Sequence, residues 1–194
     1  MLKNSLIVLF TLIVMFAKGE DVIVYKTYDD YKNKKGIVYD ELKTYGNTGR
    51  FTMKVAKDGT KVKYSWKDFW GFSYKNKLFR STSISGIVML VMDGKKILYY
   101  ENGLAHLAML YSDSSSGGAS GSVCFFSKTI ISEIYLIPTP FVMTAGSKKK
   151  AYKDFKSKNL EYSSLFKCIE EKSSPSEFTT QVYNCFKSFE GITK

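Results

Sequence analysis

Five serines, Ser114, Ser115, Ser116, Ser120 and Ser122, crowd one glycine-containing stretch of this 194-residue chain. A serine becomes a nucleophile where a sharp strand-turn-helix bend presents its hydroxyl, with one residue between it and the next glycine. Here Gly117-Gly118-Ala119-Ser120-Gly121 puts glycine directly after serine, and no Lys-Ser or Lys-Thr follows to make a phosphate loop. Residues 112–122 are therefore predicted to be a flexible, exposed loop. His106, the one histidine in the chain, lies among Leu104, Ala105, Leu107 and Ala108. A general base needs a nucleophile and an orienting carboxylate beside it, and none is visible near it in the sequence, so a packed or surface histidine is expected. The acidic pairs Asp29-Asp30 and Glu170-Glu171 are adjacent in sequence, diverge on a helix, and are predicted to be solvated.

Three cysteines, Cys124, Cys168 and Cys185, contain no CxxC pair, and with a single histidine they supply too few ligands for zinc or copper. No metal and no cofactor are expected. An odd count leaves at least one thiol unpaired in an oxidising compartment. Cys168 and Cys185 flank the turn before the last helix and are the best candidates for a bridge. Their distances from that turn, about four residues against about ten, argue against direct facing at about 1.5 Å per helical residue.

The chain carries 29 basic and 18 acidic side chains, a formal charge of +11. Its strongest local concentration is Lys148, Lys149, Lys150, Lys153, Lys156 and Lys158 near a helix start, where the backbone dipole disfavours positive charge. A solvated face explains such a run, and an anion-binding patch is the alternative. Aromatic residues are abundant, with 14 Tyr, 14 Phe and 2 Trp. Core packing accounts for most of them, and Trp70 and Tyr74 are the candidates for an exposed ring that stacks on a ligand.

What must hold these residues begins with residues 1–19. Lys3, the apolar run Leu6 to Phe16, and Ala17-Lys18-Gly19 follow the order of a secretory signal peptide. The run is too short for a span of about 20 helical residues. Cleavage after Gly19 would leave 175 of the 194 residues and remove Lys3 and Lys18, taking the charge to +9. No cysteine follows the run, so a lipid anchor is not expected. Residues 20–194 fit one domain, a strand-rich body over 20–145 followed by helices over 146–194.

Val22 to Tyr25 reads as a strand, and Thr27-Tyr28-Asp29-Asp30 as a helix start that Gly36 would end. Asp58-Gly59 predicts a two-residue turn in a hairpin from Arg50 to Trp66, with Val55 facing Val62, Met53 facing Tyr64 and Phe51 facing Trp66. A second hairpin is predicted at Asp93-Gly94, joining Ile87–Met92 to Lys95–Tyr100; its first strand is apolar on both faces, as a central strand should be. Another strand pair, Trp70 to Arg80, is expected to turn about Asn76-Lys77. Residues 122–127 and 131–137 continue the strand pattern, and residues 104–111 fit either strand or helix. After Pro138 and Pro140 the apolar period becomes helical. Ser174-Pro175-Ser176-Glu177 reads as a capping box for a last helix whose Phe178, Val182, Phe186 and Phe189 form one stripe.

The stretch Lys67-Asp68-Phe69-Trp70-Gly71-Phe72-Ser73-Tyr74-Lys75-Asn76-Lys77-Leu78-Phe79-Arg80, with Val24 to Thr27 before it and Gly94 to Gly103 after it, resembles small exported proteins of Bacteroidetes-type bacteria. That resemblance covers most of Val22 to Gly103 and weakly the terminal helix, and the Ser-Gly segment departs from it. The family has no assigned activity, so the resemblance implies export and transfers no site residue. The expected fold is α+β: a mainly antiparallel sheet, as a meander or partly closed barrel or sandwich, with a short N-terminal helix and two C-terminal helices. The expected function is a non-enzymatic binding or structural role in the envelope or outside the cell. Anion binding through the lysine face is the alternative, with an anionic envelope polymer or membrane surface as partner, and an enzyme of unrecognised type comes after it. Nucleic acid is not an expected partner of an exported chain.

Overall fold

The structure is a computed structural model that describes residues 21–47, 50–112, 123–139, 146–172 and 174–192. The expected signal segment 1–19, nearly all of the Ser-Gly stretch, and Pro140 lie outside the described residues. The fold mixes helix and strand around a mainly antiparallel sheet that does not close into a barrel. Along the chain run β1 (Val22–Tyr25), α1 (Tyr28–Lys32), β2 (Ile37–Tyr39), β3 (Glu41–Asn47), β4 (Phe51–Lys57), β5 (Thr60–Ser65), β6 (Gly71–Tyr74), β7 (Lys77–Thr82), β8 (Gly86–Asp93) and β9 (Leu98–Asn102). They are followed by α2 (Gly103–Ser112), β10 (Cys124–Ser127), β11 (Tyr135–Ile137), α3 (Gly146–Lys158), a 3-10 turn (Leu160–Tyr162), α4 (Ser163–Glu170) and α5 (Phe178–Glu190). Where two C-terminal helices are expected, three α-helices form, and the open segment 104–111 resolves as helix.

Eight strands pair in the order β11-β10-β9-β8-β7-β6-β1-β2, and β3-β4-β5 form a separate sheet. The β4–β5 hairpin has the expected register, Val55 opposite Val62 and Met53 opposite Tyr64. Asp58 and Gly59 both take positive φ, 49° and 76°, as this two-residue turn requires. Phe51, Met53, Val55 and Tyr64 pack with Val22, Val24, Phe72, Phe79, Ile87 and Met89 of the large sheet, so the small sheet covers one face of the large one. Further along, Tyr99, Cys124 and Phe126 meet Tyr152, Phe155, Phe166, Phe178, Val182 and Phe186 of the C-terminal helices. The opposite face carries Val88, Leu98, Tyr100 and Phe125. β8 is thus apolar on both sides, between β7 and β9.

Three local expectations need correction. The bend after β8 is not a two-residue turn: Asp93 pairs with Leu98, residues 94–97 form the loop, and the register slips between Leu90 and Met92. The loop takes its shape from a distant residue, since Glu190 accepts hydrogen bonds from the amides of Lys95 (3.0 Å), Lys96 (2.8 Å) and Ile97 (2.9 Å). The β6–β7 turn sits one residue earlier than expected, at Lys75-Asn76, both with positive φ, so Tyr74 pairs with Lys77. The last helix begins at Phe178 without a side-chain cap, because residues 175–177 form a turn rather than its first residues. At the N-terminal end the capping box is present: Asp30 N–H donates to Thr27 Oγ1 (3.1 Å) and Thr27 N–H to Asp30 Oδ2 (2.9 Å). That helix ends at Lys32, with Asn33 as its C-cap, before Gly36 is reached.

Candidate functional site

α3 carries all six candidate lysines, and its two buried side chains explain how it presents them. Tyr152 and Phe155, three apart, lie on one helix face and pack into the core, Phe155 with ring centroids 4.9 Å from Phe126 and 4.8 Å from Tyr135. The lysines occupy the remaining circumference but are not one site. Lys148 Nζ donates to the Ile84 carbonyl (3.0 Å), tying the first turn to the β7–β8 loop. Lys156 Nζ is neutralised by Glu170, 2.6 Å away. Lys149, Lys150, Lys153 and Lys158 are exposed and, among the described residues, pair with no carboxylate. Lys149 and Lys153 stand four apart on the rim of a cleft of about 310 Å³. Tyr152, Ile169 and Phe178 give it an apolar floor, and Lys172 and Glu170 complete the rim. Such a surface offers ammonium groups above an apolar base.

The two aromatic candidates behave differently. Trp70 is packed from several sides: its ring centroid is 5.5 Å from Tyr28 and 5.0 Å from Tyr31, and the Arg80 guanidinium lies 5.1 Å from it. Tyr74 is 7% exposed and belongs to the core between the sheets. Arg80 itself is buried, donates to the Tyr100 hydroxyl (3.5 Å), and leaves its Nε without a partner.

His106 Nε2 lies 2.6 Å from Glu101 Oε2, so the carboxylate that orients the histidine comes from the strand leading into α2. Cys124 stands opposite Glu101 in the β9–β10 pairing. Burial disfavours its thiolate, pushing the thiol from 9.0 up to about 12, and its sulfur accepts a hydrogen bond from the Tyr99 hydroxyl at 3.2 Å. Among the described residues no group of three His, Cys, Asp or Glu side chains could hold a metal ion. The Cys168–Cys185 bridge, which unequal spacing argued against, is formed, with Cα atoms 5.8 Å apart. α5 starts at Phe178, later than its sequence suggests, so Cys185 lies about two turns into the helix rather than three.

A second cleft, of about 540 Å³, opens where the β4–β5 hairpin meets the β7–β8 loop. Arg50, Lys67 and the hydroxyls of Thr82, Ser83 and Ser85 line it, together with Trp66. The chain matches no family model, no curated protein and no solved structure. Sequence reading passed over Arg50 and Lys67. The available signal was their position just beyond the two ends of the β4–β5 hairpin, which brings two basic side chains to the lining of one cleft.

Proposed function

We propose that this is an exported, non-enzymatic protein that binds an anionic polymer or lipid headgroup surface through the outer face of α3. The carrying observation is the set Lys149, Lys150, Lys153 and Lys158: four exposed ammonium groups on a helix anchored by Tyr152 and Phe155, with no carboxylate partner among the described residues. Lys149 and Lys150 lie near the start of α3, where the backbone dipole opposes positive charge and favours an incoming anion, whereas Lys158 lies in its last turn. A chain of formal charge +11 adds long-range attraction of the same sign. Export is supported by the order of residues 3–19. No helix among the described residues is long and apolar enough to cross a membrane.

The test is retention on immobilised heparin and on vesicles containing phosphatidylglycerol, measured against salt. Replacing all four lysines with glutamine is expected to remove most of the salt-sensitive retention, because the contact is electrostatic and screened within about 10 Å at 0.1 M salt. Retention equal to that of the unmodified protein would overturn the reading.

A further inference from the structure

The second cleft is a different kind of place from the α3 rim. Beside the apolar Trp66 and Ile84, its lining brings hydrogen-bond donors together with no acid among them. Arg50 and Lys67 pair with no carboxylate among the described residues; the nearest acid in sequence, Asp68, spends an oxygen on the Ser65 amide (2.6 Å). The Lys67 ammonium lies 5.5 Å from the Trp66 ring centroid, which holds its stem on the cleft wall.

The hydroxyls add a defined donor count. Thr82 Oγ1 accepts from the Ile84 amide (3.2 Å), so its own hydrogen remains to be donated. Ser85 Oγ donates to the Ile87 carbonyl (3.2 Å) and is left as an acceptor. Ser83 is exposed and has no hydrogen-bond partner among the described residues. The loop bearing these groups is pinned. Gly86 takes a φ of 84°, where a Cβ would also fall 2.9 Å from Phe51 Cβ, so the β7–β8 loop lies close against the residue that follows Arg50. Lys148 fastens the other side by its bond to the Ile84 carbonyl, which places a third ammonium near the rim.

Two cations on the lining of one cleft, with no acid beside them there, favour a negative charge between them. A guanidinium, an ammonium and two available hydroxyl hydrogens on the lining of one cleft match a tetrahedral oxyanion, which accepts several hydrogen bonds at once. The volume exceeds what a bare ion needs and leaves room for an organic body. We propose that this cleft binds a sulfate or phosphate monoester carried on a saccharide. Arg50 and Lys67 hold the oxyanion, Thr82 and Ser83 donate to it, and Ser85 accepts from a sugar hydroxyl. The site does not depend on the exposed lysines of α3.

Isothermal titration at low salt with glucose 6-sulfate and with glucose 6-phosphate tests it on the full chain. Saturable binding of at least one ester is expected, and the ratio of the two affinities tells which ester the cleft prefers. Arg50→Gln and Lys67→Gln should each weaken binding about tenfold or more, the scale of losing one hydrogen bond to a charged group. Ser83→Glu, which places a carboxylate at the rim, should abolish it, and serves if a neutralising variant fails to fold. The double variant Lys149→Gln, Lys153→Gln should bind either ester within about twofold of the unmodified protein, since those groups lie outside the cleft. No saturable binding of either ester, or cleft variants that bind as the unmodified protein does, overturns the proposal. Loss of heparin retention in the lysine variant with ester binding intact separates this site from the α3 face.

Discussion

At the scale of single residues, burial decides which reactive side chains are available for chemistry. Cys124, the free thiol, lies at zero exposure beneath Tyr99, whose single hydroxyl hydrogen is shared between the Cys124 sulfur and the Thr179 carbonyl. Burial raises Cys124 from 9.0 to about 12 and raises the Tyr99 and Tyr152 hydroxyls well above their ordinary 10.0. Raised values on acids that are neutral when protonated mean that the fold favours the protonated forms. Below about pH 7.5 neither folded nor unfolded chain ionises these groups appreciably, and their contribution to stability is complete. Above the unfolded values the unfolded chain loses protons that the native state keeps. Stability should then fall by about 1.4 kcal/mol per pH unit for each group, until the native groups ionise too. Urea midpoints at pH 8, 9.5 and 11 measure this, and a flat profile would contradict the buried Tyr99–Cys124 contact. Of the residue-scale readings, the isolation of His106 in sequence was misleading because Glu101, five residues away, reaches it only through the strand-to-helix bend at Asn102, whose Oδ1 accepts from the Leu104 amide (3.1 Å).

Elements were legible where two local signals coincided. The β4–β5 hairpin shows turn chemistry at Asp58-Gly59 and strict alternation on both strands, and it forms as expected. The bend after β8 shows the same Asp-Gly pair yet becomes a longer loop. Its geometry is set by Glu190, which no window around residue 94 contains, and a Cβ at Gly94 would sit 2.6 Å from that carboxylate. Lys75 in the left-handed region of the β6–β7 turn gave no signal either, since lysine has no side-chain reason to adopt it. Removing the Glu190 carboxylate strips three amides of a charge-assisted acceptor. Glu190→Ala is expected to destabilise the protein by about 1–3 kcal/mol. Amide hydrogen exchange should speed up at Lys95, Lys96 and Ile97 while the β4–β5 hairpin stays protected. Uniform loss of protection would mean that α5 does more than hold the loop.

For the whole molecule, the α+β class was readable because strand alternation gives way to helical spacing after residue 138. The division into an eight-stranded and a three-stranded sheet was not, since β1 pairs with β6, about fifty residues away, and no local pattern encodes that choice. The lysine run was visible as charge, but its partition between Ile84, Glu170 and an open cleft depends on packing from three elements. The Cys168–Cys185 bridge joins α4 to α5 across 17 residues. Closing a loop of that length is worth about 3 kcal/mol through the unfolded chain, so reduction should lower the melting temperature by roughly 6–12 °C for a chain of this size. Calorimetry with and without reductant checks this, and an unchanged melting temperature would show that the helices are held by Phe178, Val182 and Phe186 alone.

The grip of Glu190 on residues 95–97 spans more than ninety positions of sequence. A chain that emerges from its N-terminus therefore displays the 94–97 bend without its keystone until almost the last helix has been made. At this one bend, order arrives late. The clasp cannot snap shut while its closing residue is still to come, so this bend is fixed only when the C-terminal helix is in place.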